Sequence, residues 1–275
     1  ITGAPGTGKS TLVNQIACTY RRQDVRVGIL AVDPTSPFSG GALLGDRIRM
    51  CDLAGDPGVF IRSMATRGAV GGLSHSTFEA AQVLDAAGFE VILIETVGAG
   101  QDEVEIAHTA HTTIVVEAPG LGDDIQAIKA GIVEIADIFV VNKADRAGAE
   151  ATARALEFML GIGSPVHDTA GAETPWTPPI CRTVALDGTG LIELVAQIDA
   201  HRAYMRSSGR LDEKEWARAQ TSLQELLRQE LLARFLSTLK EGTVQELISR
   251  MVARQLSPYE ALDLLLGEQA PKKRP

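Results

Sequence analysis

The sequence predicts an α/β fold, a three-layer sandwich with a mainly parallel sheet, followed by a C-terminal helical arm. Short, almost continuously apolar runs alternate with helical windows, which is typical of parallel strands buried on both faces. These runs are residues 25–33, 90–96, 112–118 and 137–143. After about His201 the chain becomes helix-forming throughout. We therefore predict two domains, residues 1–202 and 203–275.

The helical windows follow their own periodicity. In KSTLVNQIACTYRR the apolar side chains at 12, 13, 16, 17 and 20 share one face. Strands alternating with such helices imply right-handed βαβ crossovers. The long window over residues 213–240 also carries a broad apolar face, and Ser257 and Pro258 mark the start of a last helix. These helices either pack back onto the sheet or form an arm for a second copy or a partner.

Two segments depart from this alternation. Residues 34–72 are rich in Gly, Pro and Ser, and we predict a functional loop there. The chain opens on Ile1 without a methionine, and a glycine-rich motif begins two residues later. A strand is expected before that motif, so we expect a fragment whose first strand is cut short.

Composition narrows the class of protein. Of 275 residues, 45% are hydrophobic and 22% charged, as in ordinary globular proteins. The net charge of −9 argues against nucleic acid or an anionic membrane as a partner. Without a signal peptide or a long apolar run, we expect the cytoplasm or an organelle matrix such as that of mitochondria. For His108 and His111 we expect a helix end or the surface rather than a metal.

The glycine-rich motif GAPGTGKST predicts a phosphate-binding loop and thus a P-loop NTPase fold. Its backbone amides and the following helix N-terminus would surround the β-phosphate. Lys9 would place its charge across the β- and γ-phosphates, and Ser10 would offer its hydroxyl to Mg²⁺. The predicted nucleotide-binding residues here are Gly3, Ala4, Pro5, Gly6, Thr7, Gly8, Lys9, Ser10 and Thr11.

The base should be guanine. NKAD ends a predicted strand and supplies Asn142, Lys143 and Asp145. The carboxylate of Asp145 can accept two hydrogen bonds from guanine, whereas adenine would leave it unpaired. The sequence therefore predicts GTP and GDP as ligands. A further loop, TVALDG, would contact the purine through the backbone of Val184, Ala185 and Leu186.

Carboxylates at strand ends are candidates for the magnesium site. Mg²⁺ prefers six oxygen ligands, with one or two carboxylates among them. Asp33 and Glu95 each end a predicted strand, and Asp46 lies in the glycine-rich loop. With Ser10 they form the predicted metal set. In ETVGAGQ, Glu95 and Ala99 stand where many GTP-driven switches carry Asp and Gln.

Six motifs occur in a fixed order along the chain. They are GAPGTGKST, VDPTSPFSGGALLGDRIRM, FIRSMATRG, ETVGAGQ, PGLGDDIQAIKAGI and NKAD. Together they resemble, over essentially the whole chain, the MeaB/ArgK GTPases of the SIMIBI class. These are the G-protein chaperones of adenosylcobalamin-dependent methylmalonyl-CoA mutase, among them the human methylmalonic aciduria type A protein.

The resemblance implies that Ser10, Asp33, Asp46 and Glu95 surround Mg²⁺. It further implies switch segments at residues 34–50, 96–105 and 119–129, and a homodimer formed through C-terminal helices. It favours the dimerising or partner-binding arm over helices packed on the sheet.

We therefore predict a GTPase that couples GTP hydrolysis to cofactor loading or protection in an adenosylcobalamin-dependent acyl-CoA mutase. Because Ala99 follows Gly98, intrinsic hydrolysis should be slow and stimulated by the partner. Lys9 and Glu95 are predicted catalytic residues, and Lys129 is the candidate that completes the site. Gln101 lies two residues too late in the motif to orient the water.

Alternatives from other classes remain open. One is the G domain of a fused cobalamin mutase, or a clamp in which GTP only holds shape. Another is a nickel-insertion GTPase, which would need a His/Cys-rich metal store. A third is a small-molecule kinase, which should prefer ATP.

Overall fold

The computed structural model describes residues 1–34, 53, 55–66, 72–96, 110–120, 134–163 and 175–267. Side chains are not described for residues 33–34, 65–66, 72–75 and 162–163.

The described parts of the chain form six strands and seven helices. The strands are β1 (Val27–Pro34), β2 (Val59–Thr66), β3 (Val91–Glu95), β4 (Ile114–Glu117), β5 (Ile138–Asn142) and β6 (Ile180–Thr183). The helices are α1 (Lys9–Arg21), α2 (Gly72–Ala86), α3 (Ala149–Gly163), α4 (Leu191–Ser207), α5 (Arg210–Thr238), α6 (Thr243–Val252) and α7 (Pro258–Gly267).

The strands are parallel and lie in two sets, β2-β1-β3 and β4-β5-β6. The first residues of the chain join these sets. Thr96 at the end of β3 donates its amide to Ile1 O, while Thr2 forms a parallel bridge with Val115 of β4. The order across the sheet is therefore β2-β1-β3, residues 1–3, β4-β5-β6. This confirms the predicted parallel α/β fold.

Both faces of the sheet are buried, as the apolar runs predict. Ile29 packs with α1 and α4 on one face, whereas Leu30, the next residue, packs with α2 on the other. Such alternation follows from the two-residue period of a strand. On the second face α3 covers β4 and β5 through Leu156. Helices on both faces complete three layers.

The prediction of a continuous loop over residues 34–72 is wrong for residues 59–66, which form β2. This strand pairs with β1 alone among the described strands, so it lies at an edge of the described sheet. An edge strand is half-covered, and VFIRSMAT alternates accordingly, with Phe60 40% exposed. The glycine-rich flanks hide that pattern in the sequence.

The chain divides into two compact units, Ile1–Arg218 and Ala219–Pro275. The second unit is helical, as predicted. Among its described residues, only Leu247 and Ala261 have less than a tenth of their surface exposed. Several leucines of α5 are exposed: Leu223, Leu226, Leu227, Leu231, Leu232 and Leu236. In the described residues no helix has the length and apolarity needed to cross a membrane. The functional boundary at 202/203 stays a prediction.

Candidate functional site

The phosphate-binding loop connects the central residues 1–3 to α1 at the carboxyl end of the sheet. Its glycines are required by geometry. Gly3 has φ of 139°, and a Cβ there would lie 2.1 Å from Val116 O. Gly8 has φ of 93°, and its Cβ would lie 2.5 Å from the side-chain nitrogen of Asn142. Only glycine allows this loop to pack against both β4 and β5.

Lys9 spans the loop from the first turn of α1. Its side chain is buried, and Nζ donates to Gly3 O at 2.7 Å and to Ala4 O at 3.1 Å. The loop is closed further by Thr7, whose hydroxyl donates to Ala4 O. A buried ammonium group held by backbone carbonyls of a glycine-rich loop is suited to bind an anion such as a phosphate chain.

Ser10 and Glu95 bring two oxygen donors together. Glu95 ends β3 and is buried, and the hydroxyl of Ser10 donates to its Oε1 at 2.5 Å. Mg²⁺ favours hard oxygen ligands and commonly uses few protein groups. The residues present therefore fit a magnesium ion beside the phosphate loop. Among the described residues no group of three or more His, Cys, Asp or Glu forms a further metal cluster.

Asn142 ties three parts of the site together from the end of β5. Its Nδ2 donates to Thr7 O at 2.8 Å in the phosphate loop. Its Oδ1 accepts the hydroxyl of Thr183 at 3.2 Å and the amide of Ala185 at 3.1 Å. The amide of Ala185 is thus engaged within the protein. In the structure Asn142 links the phosphate loop to β6 and the loop after it, and its role in nucleotide binding stays a prediction.

Lys143 lies in the left-handed region, with φ of 56°, and its Nζ donates to Gly6 O at 2.6 Å. The lysine side chain therefore lies along the phosphate loop. Asp145, two residues on, is exposed. In the neighbouring loop Val184 pairs with Thr189, and Leu186 is 84% exposed. Of the two predicted base-contacting segments, NKAD contacts the phosphate loop through Asn142 and Lys143, and the loop of Ala185 is joined to it through Asn142.

Some predicted residues fall outside the described part of the chain. These are Asp46, Lys129 and most of the switch segments. Of those segments the structure describes Thr96, residues 119–120 and the backbone of Pro34. The backbone of Asp33 lies one residue before the end of β1, opposite Ala65 of β2, and its side chain is not described.

A pair of hydroxyl groups beside the site was missed by sequence reasoning. Thr96 Oγ1 donates to Thr2 Oγ1 at 2.9 Å, and both residues are buried. The residues are 94 positions apart, so no local pattern could reveal the contact. The preference of threonine for strands was the only available signal.

The amino end of the sheet carries a second polar group of residues, here called the amino-end cluster. Its centre is Asp137, just before β5, whose Oδ2 accepts the amide of Thr113 at 2.8 Å. His201 of α4 places Nε2 3.4 Å from Asp137 Oδ1 and shares a hydrogen bond with the hydroxyl of Thr112 through Nδ1. Burial lowers the pKa of His201, and Asp137 offsets part of that effect.

The cluster extends to α5. Lys214 donates to His111 O at 3.1 Å, and Glu215 lies 2.5 Å from His111 Nε2. Arg218 contacts both His111 and Glu215. Trp176 donates its indole N–H to Asp137 O at 2.8 Å. His111 is thus half-exposed and bonded to Glu215 and Arg218 of the same chain.

Comparison with known proteins gives one consistent family. Residues 1–240 match the family model described as methylmalonyl Co-A mutase-associated GTPase MeaB. A protein of Pyrococcus abyssi named as a GTPase is 48% identical over 268 residues, 98% of this chain and 82% of its own. The mitochondrial methylmalonic aciduria type A homolog of Mus musculus is 33% identical, covering 97% of this chain and 64% of its own. A crystal structure described as a LAO/AO transport system kinase superposes with a TM-score of 0.67 at 26% identity, covering 97% and 79%.

Proposed function

Because the chain belongs to the MeaB family of GTPases, which hydrolyse GTP with Mg²⁺, we propose that it is a chaperone of an adenosylcobalamin-dependent acyl-CoA mutase. The family resemblance predicted from the motifs is thereby confirmed, as are GTP hydrolysis and the use of GTP, GDP and Mg²⁺. The proposal adds the partner and the coupling of hydrolysis to loading or protection of the cobalamin cofactor. Methylmalonyl-CoA mutase is the partner we favour.

The family match is the observation that supports this choice of partner. The matching family is described by its association with methylmalonyl-CoA mutase, and the match covers residues 1–240. The mouse relative carries the name of a methylmalonic aciduria protein. The first name states the mutase, and the second shares with it the methylmalonyl group. For the compartment we propose the cytoplasm in a prokaryote or the mitochondrial matrix in a eukaryote.

For the phosphates we propose the cradle formed by residues 3–11. Lys9 holds the carbonyls of Gly3 and Ala4 in the structure, and its ammonium group can exchange these contacts for the β- and γ-phosphates of GTP. Lys143 makes the same kind of contact with Gly6 O from outside the loop. Two lysine side chains that contact one loop would supply positive charge where the substrate is most negative.

For the metal we propose Ser10 as a direct ligand and Glu95 as a ligand of the ion or its water shell. Their 2.5 Å contact supports this assignment because it places a neutral hydroxyl oxygen and a carboxylate oxygen side by side, where one ion can contact both. When bound, Mg²⁺ neutralises charge on the β- and γ-phosphate oxygens. Asp33 and Asp46 stay proposed members of the set on sequence grounds.

For the base we propose Asp145 as the guanine-specific acceptor. Its exposed position beside Lys143 leaves the carboxylate accessible to a ligand. The loop of Val184, Ala185 and Leu186 would close the other side of the purine. Asn142 supports this loop through Ala185 and Thr183, so it acts on the base indirectly.

We propose that hydrolysis is slow in the free protein and is stimulated by the mutase. Ala99 has no side-chain group that can orient a water molecule. A missing charge-stabilising group commonly lowers the rate of phosphoryl transfer by ~10³–10⁵. Lys129 is the residue we propose to complete the site when the partner is bound.

The exposed leucines of α5 support a homodimer through the C-terminal helices. Leu227 and Leu231 lie one turn apart on that helix and are 53% and 57% exposed in the single chain. Contiguous exposed apolar surface of this kind commonly marks an interface. Light scattering should give twice the chain mass, and Leu227→Glu with Leu231→Glu should give the monomer.

The deciding experiment measures GTP hydrolysis with and without purified methylmalonyl-CoA mutase and isobutyryl-CoA mutase. Stimulation by one mutase and not by the other names the partner. Lys129→Ala should retain the slow intrinsic rate and lose stimulation. If both mutases leave the rate unchanged and neither co-elutes with the GTP-bound protein, the chaperone proposal is refuted, while family GTPase activity stands.

A further inference from the structure

We propose that the hydroxyl pair of Thr2 and Thr96 positions Glu95 for the magnesium site. This hydrogen bond joins Thr96, the first residue after β3, to Thr2, which precedes the phosphate loop. Neither threonine is among the predicted nucleotide, metal or catalytic residues, although Thr96 is the first residue of the predicted switch segment 96–105. The proposal rests on the metal role proposed above for Glu95.

The first step concerns how β3 is held at its end. Along β3 the partner is β1, and the register ends with Ala31 opposite Glu95. At Thr96 the pairing passes to the other neighbour, because its amide donates to Ile1 O at 3.1 Å. Glu95 is therefore the last residue paired with β1, and Thr96 is the first paired with residues 1–3, here called the central strand.

The second step concerns the hydroxyl groups. Thr2 is fixed by its own backbone, since its amide donates to Ile114 O at 2.9 Å and its carbonyl accepts the amide of Val116 at 2.8 Å. Thr96 Oγ1 donates to Thr2 Oγ1 at 2.9 Å, with the two residues 4% and 2% exposed. Thr96 thus has a backbone and a side-chain bond to the same rigid strand.

The third step connects this anchor to the chemistry. Consecutive strand residues direct their side chains to opposite faces. Thr96 contacts Thr2 on one face, while Glu95 contacts Ser10 at the start of α1 on the other. Fixing Thr96 against rotation consequently fixes the direction of the Glu95 carboxylate. Thr2 in turn precedes Gly3, so the same hydrogen bond couples the phosphate loop to the end of β3.

The test uses the full chain and measures the Mg²⁺ concentration that gives half-maximal GTP hydrolysis. Thr96→Val and Thr2→Val should each raise this concentration by about three- to tenfold, the factor expected for one lost hydrogen bond. The double variant should raise it no further than either single change, because both remove the same interaction. Thr96→Ser keeps the hydroxyl and should restore the normal requirement.

Two further measurements on the same variants do not depend on GTP hydrolysis. The affinity of the GDP complex for Mg²⁺, measured by calorimetry, should fall by the same factor in Thr96→Val. Hydrogen exchange of the amides at residues 92–96 should become faster. Thr19→Val is the matched control: Thr19 is also buried and its hydroxyl donates to Gln15 O, but it lies within α1. This control should lose stability without changing the Mg²⁺ requirement.

Glu95→Gln separates the two proposals. If Glu95→Gln raises the Mg²⁺ requirement and folded Thr96→Val does not, the positioning role of the threonines is refuted and the metal role of Glu95 stands. If Glu95→Gln leaves the requirement unchanged, the metal role fails and the positioning proposal fails with it. If Thr2→Val and Thr96→Val lower only the melting temperature, and by as much as Thr19→Val, the hydroxyl pair is an ordinary core contact and the positioning role is refuted.

Discussion

Both ends of the parallel sheet carry charged and polar side chains, but these side chains differ in what they contact. At the carboxyl end Lys9 and Lys143 donate to the backbone of a glycine loop. At the amino end Asp137 and His201 meet other side chains and amides in the amino-end cluster. The first arrangement can exchange its partners for a ligand. The second is complete within the protein.

This difference separates function from stability within one sheet. Parallel α/β proteins bind ligands at the carboxyl ends of their strands, where helix N-termini and loops meet. The amino end is free to hold the fold together, and here it links α4 and the start of α5 to β4 and β5. Changes at the carboxyl end should therefore alter hydrolysis, and changes at the amino end should alter the free energy of unfolding.

The largest expected effect is that of Lys9→Ala on hydrolysis. Removing the ammonium group that faces the phosphates should lower kcat/KM for GTP by about 10³-fold or more. The free energy of unfolding without nucleotide should fall by about 1–3 kcal/mol, since the buried carbonyl of Gly3 loses its donor. Steady-state kinetics and urea unfolding give the two numbers.

Lys240→Ala is the matched control for that prediction. Lys240 is an exposed lysine of the second unit, so its removal should leave both quantities unchanged. A Lys9→Ala protein that is folded and hydrolyses GTP at the parent rate would contradict the functional assignment of the carboxyl end.

Asp137→Ala should have the largest effect at the amino end. It leaves the buried amide of Thr113 without its acceptor and removes the carboxylate beside His201. We expect a loss of about 2–4 kcal/mol in the free energy of unfolding. In the folded protein kcat/KM should stay within about threefold of the parent because the change lies far from the phosphate loop.

Asp137→Asn tests the cause. It retains an oxygen that can accept from Thr113, so it should lose roughly half as much stability as Asp137→Ala. Equal losses for both variants would show that the charge, and not the hydrogen bond, carries the stabilisation.

The sequence predicts the carboxyl end far better than the amino end. The phosphate loop and NKAD are short motifs whose residues are neighbours along the chain, so local geometry dictates them. The buried strands are visible as apolar runs because both faces are covered. In the amino-end cluster, Thr112 and His201 are 89 residues apart, and Lys214 and His111 are 103 apart. Only the fold brings such pairs together.

The same reason explains the missed strand and the missed threonine pair. β2 is half-covered and lies between glycine-rich segments, which weakens its pattern. Thr2 and Thr96 are ordinary strand residues until the central strand places their hydroxyls at 2.9 Å. The structural contacts of Asn142 were also not predicted, because the NKAD motif indicates a nucleotide ligand and gives no information about the loops that Asn142 connects.

Asn142→Ala tests that structural role at the carboxyl end. It removes bonds to Thr7 O, the hydroxyl of Thr183 and the amide of Ala185. The dissociation constant for GDP should rise by roughly 10–100-fold, the factor expected for the loss of one to three net hydrogen bonds. Calorimetry measures it directly. Thr183→Val removes one of the three bonds and should weaken binding by less; an equal loss in both variants would contradict an additive link.

The smallest expected effect is a pH dependence at the amino end, carried by His201. Burial lowers the pKa of His201 in the folded protein; Asp137 favours the protonated ring, while Lys214 and Arg210 oppose it. In the unfolded chain the pKa is about 6.5. The unfolded state therefore binds more protons near pH 6, so the stabilising contribution is complete above pH 6.5 and is lost as the pH falls through the folded pKa.

His201→Asn removes this titration while its short amide can still bond the hydroxyl of Thr112. At pH 7.5 the variant should be less stable than the parent by about 1–2 kcal/mol. At pH 5.5 the difference in the free energy of unfolding should shrink, because the parent has lost the stabilisation that requires a neutral His201 ring. Urea unfolding at pH 5.5, 6.5 and 7.5 measures this trend, with Trp176→Phe as a non-titrating control whose loss should be the same at each pH. A difference that stays constant or grows as the pH falls would show that His201 is charged in the folded protein and that the amino-end cluster is an ion pair rather than a neutral network.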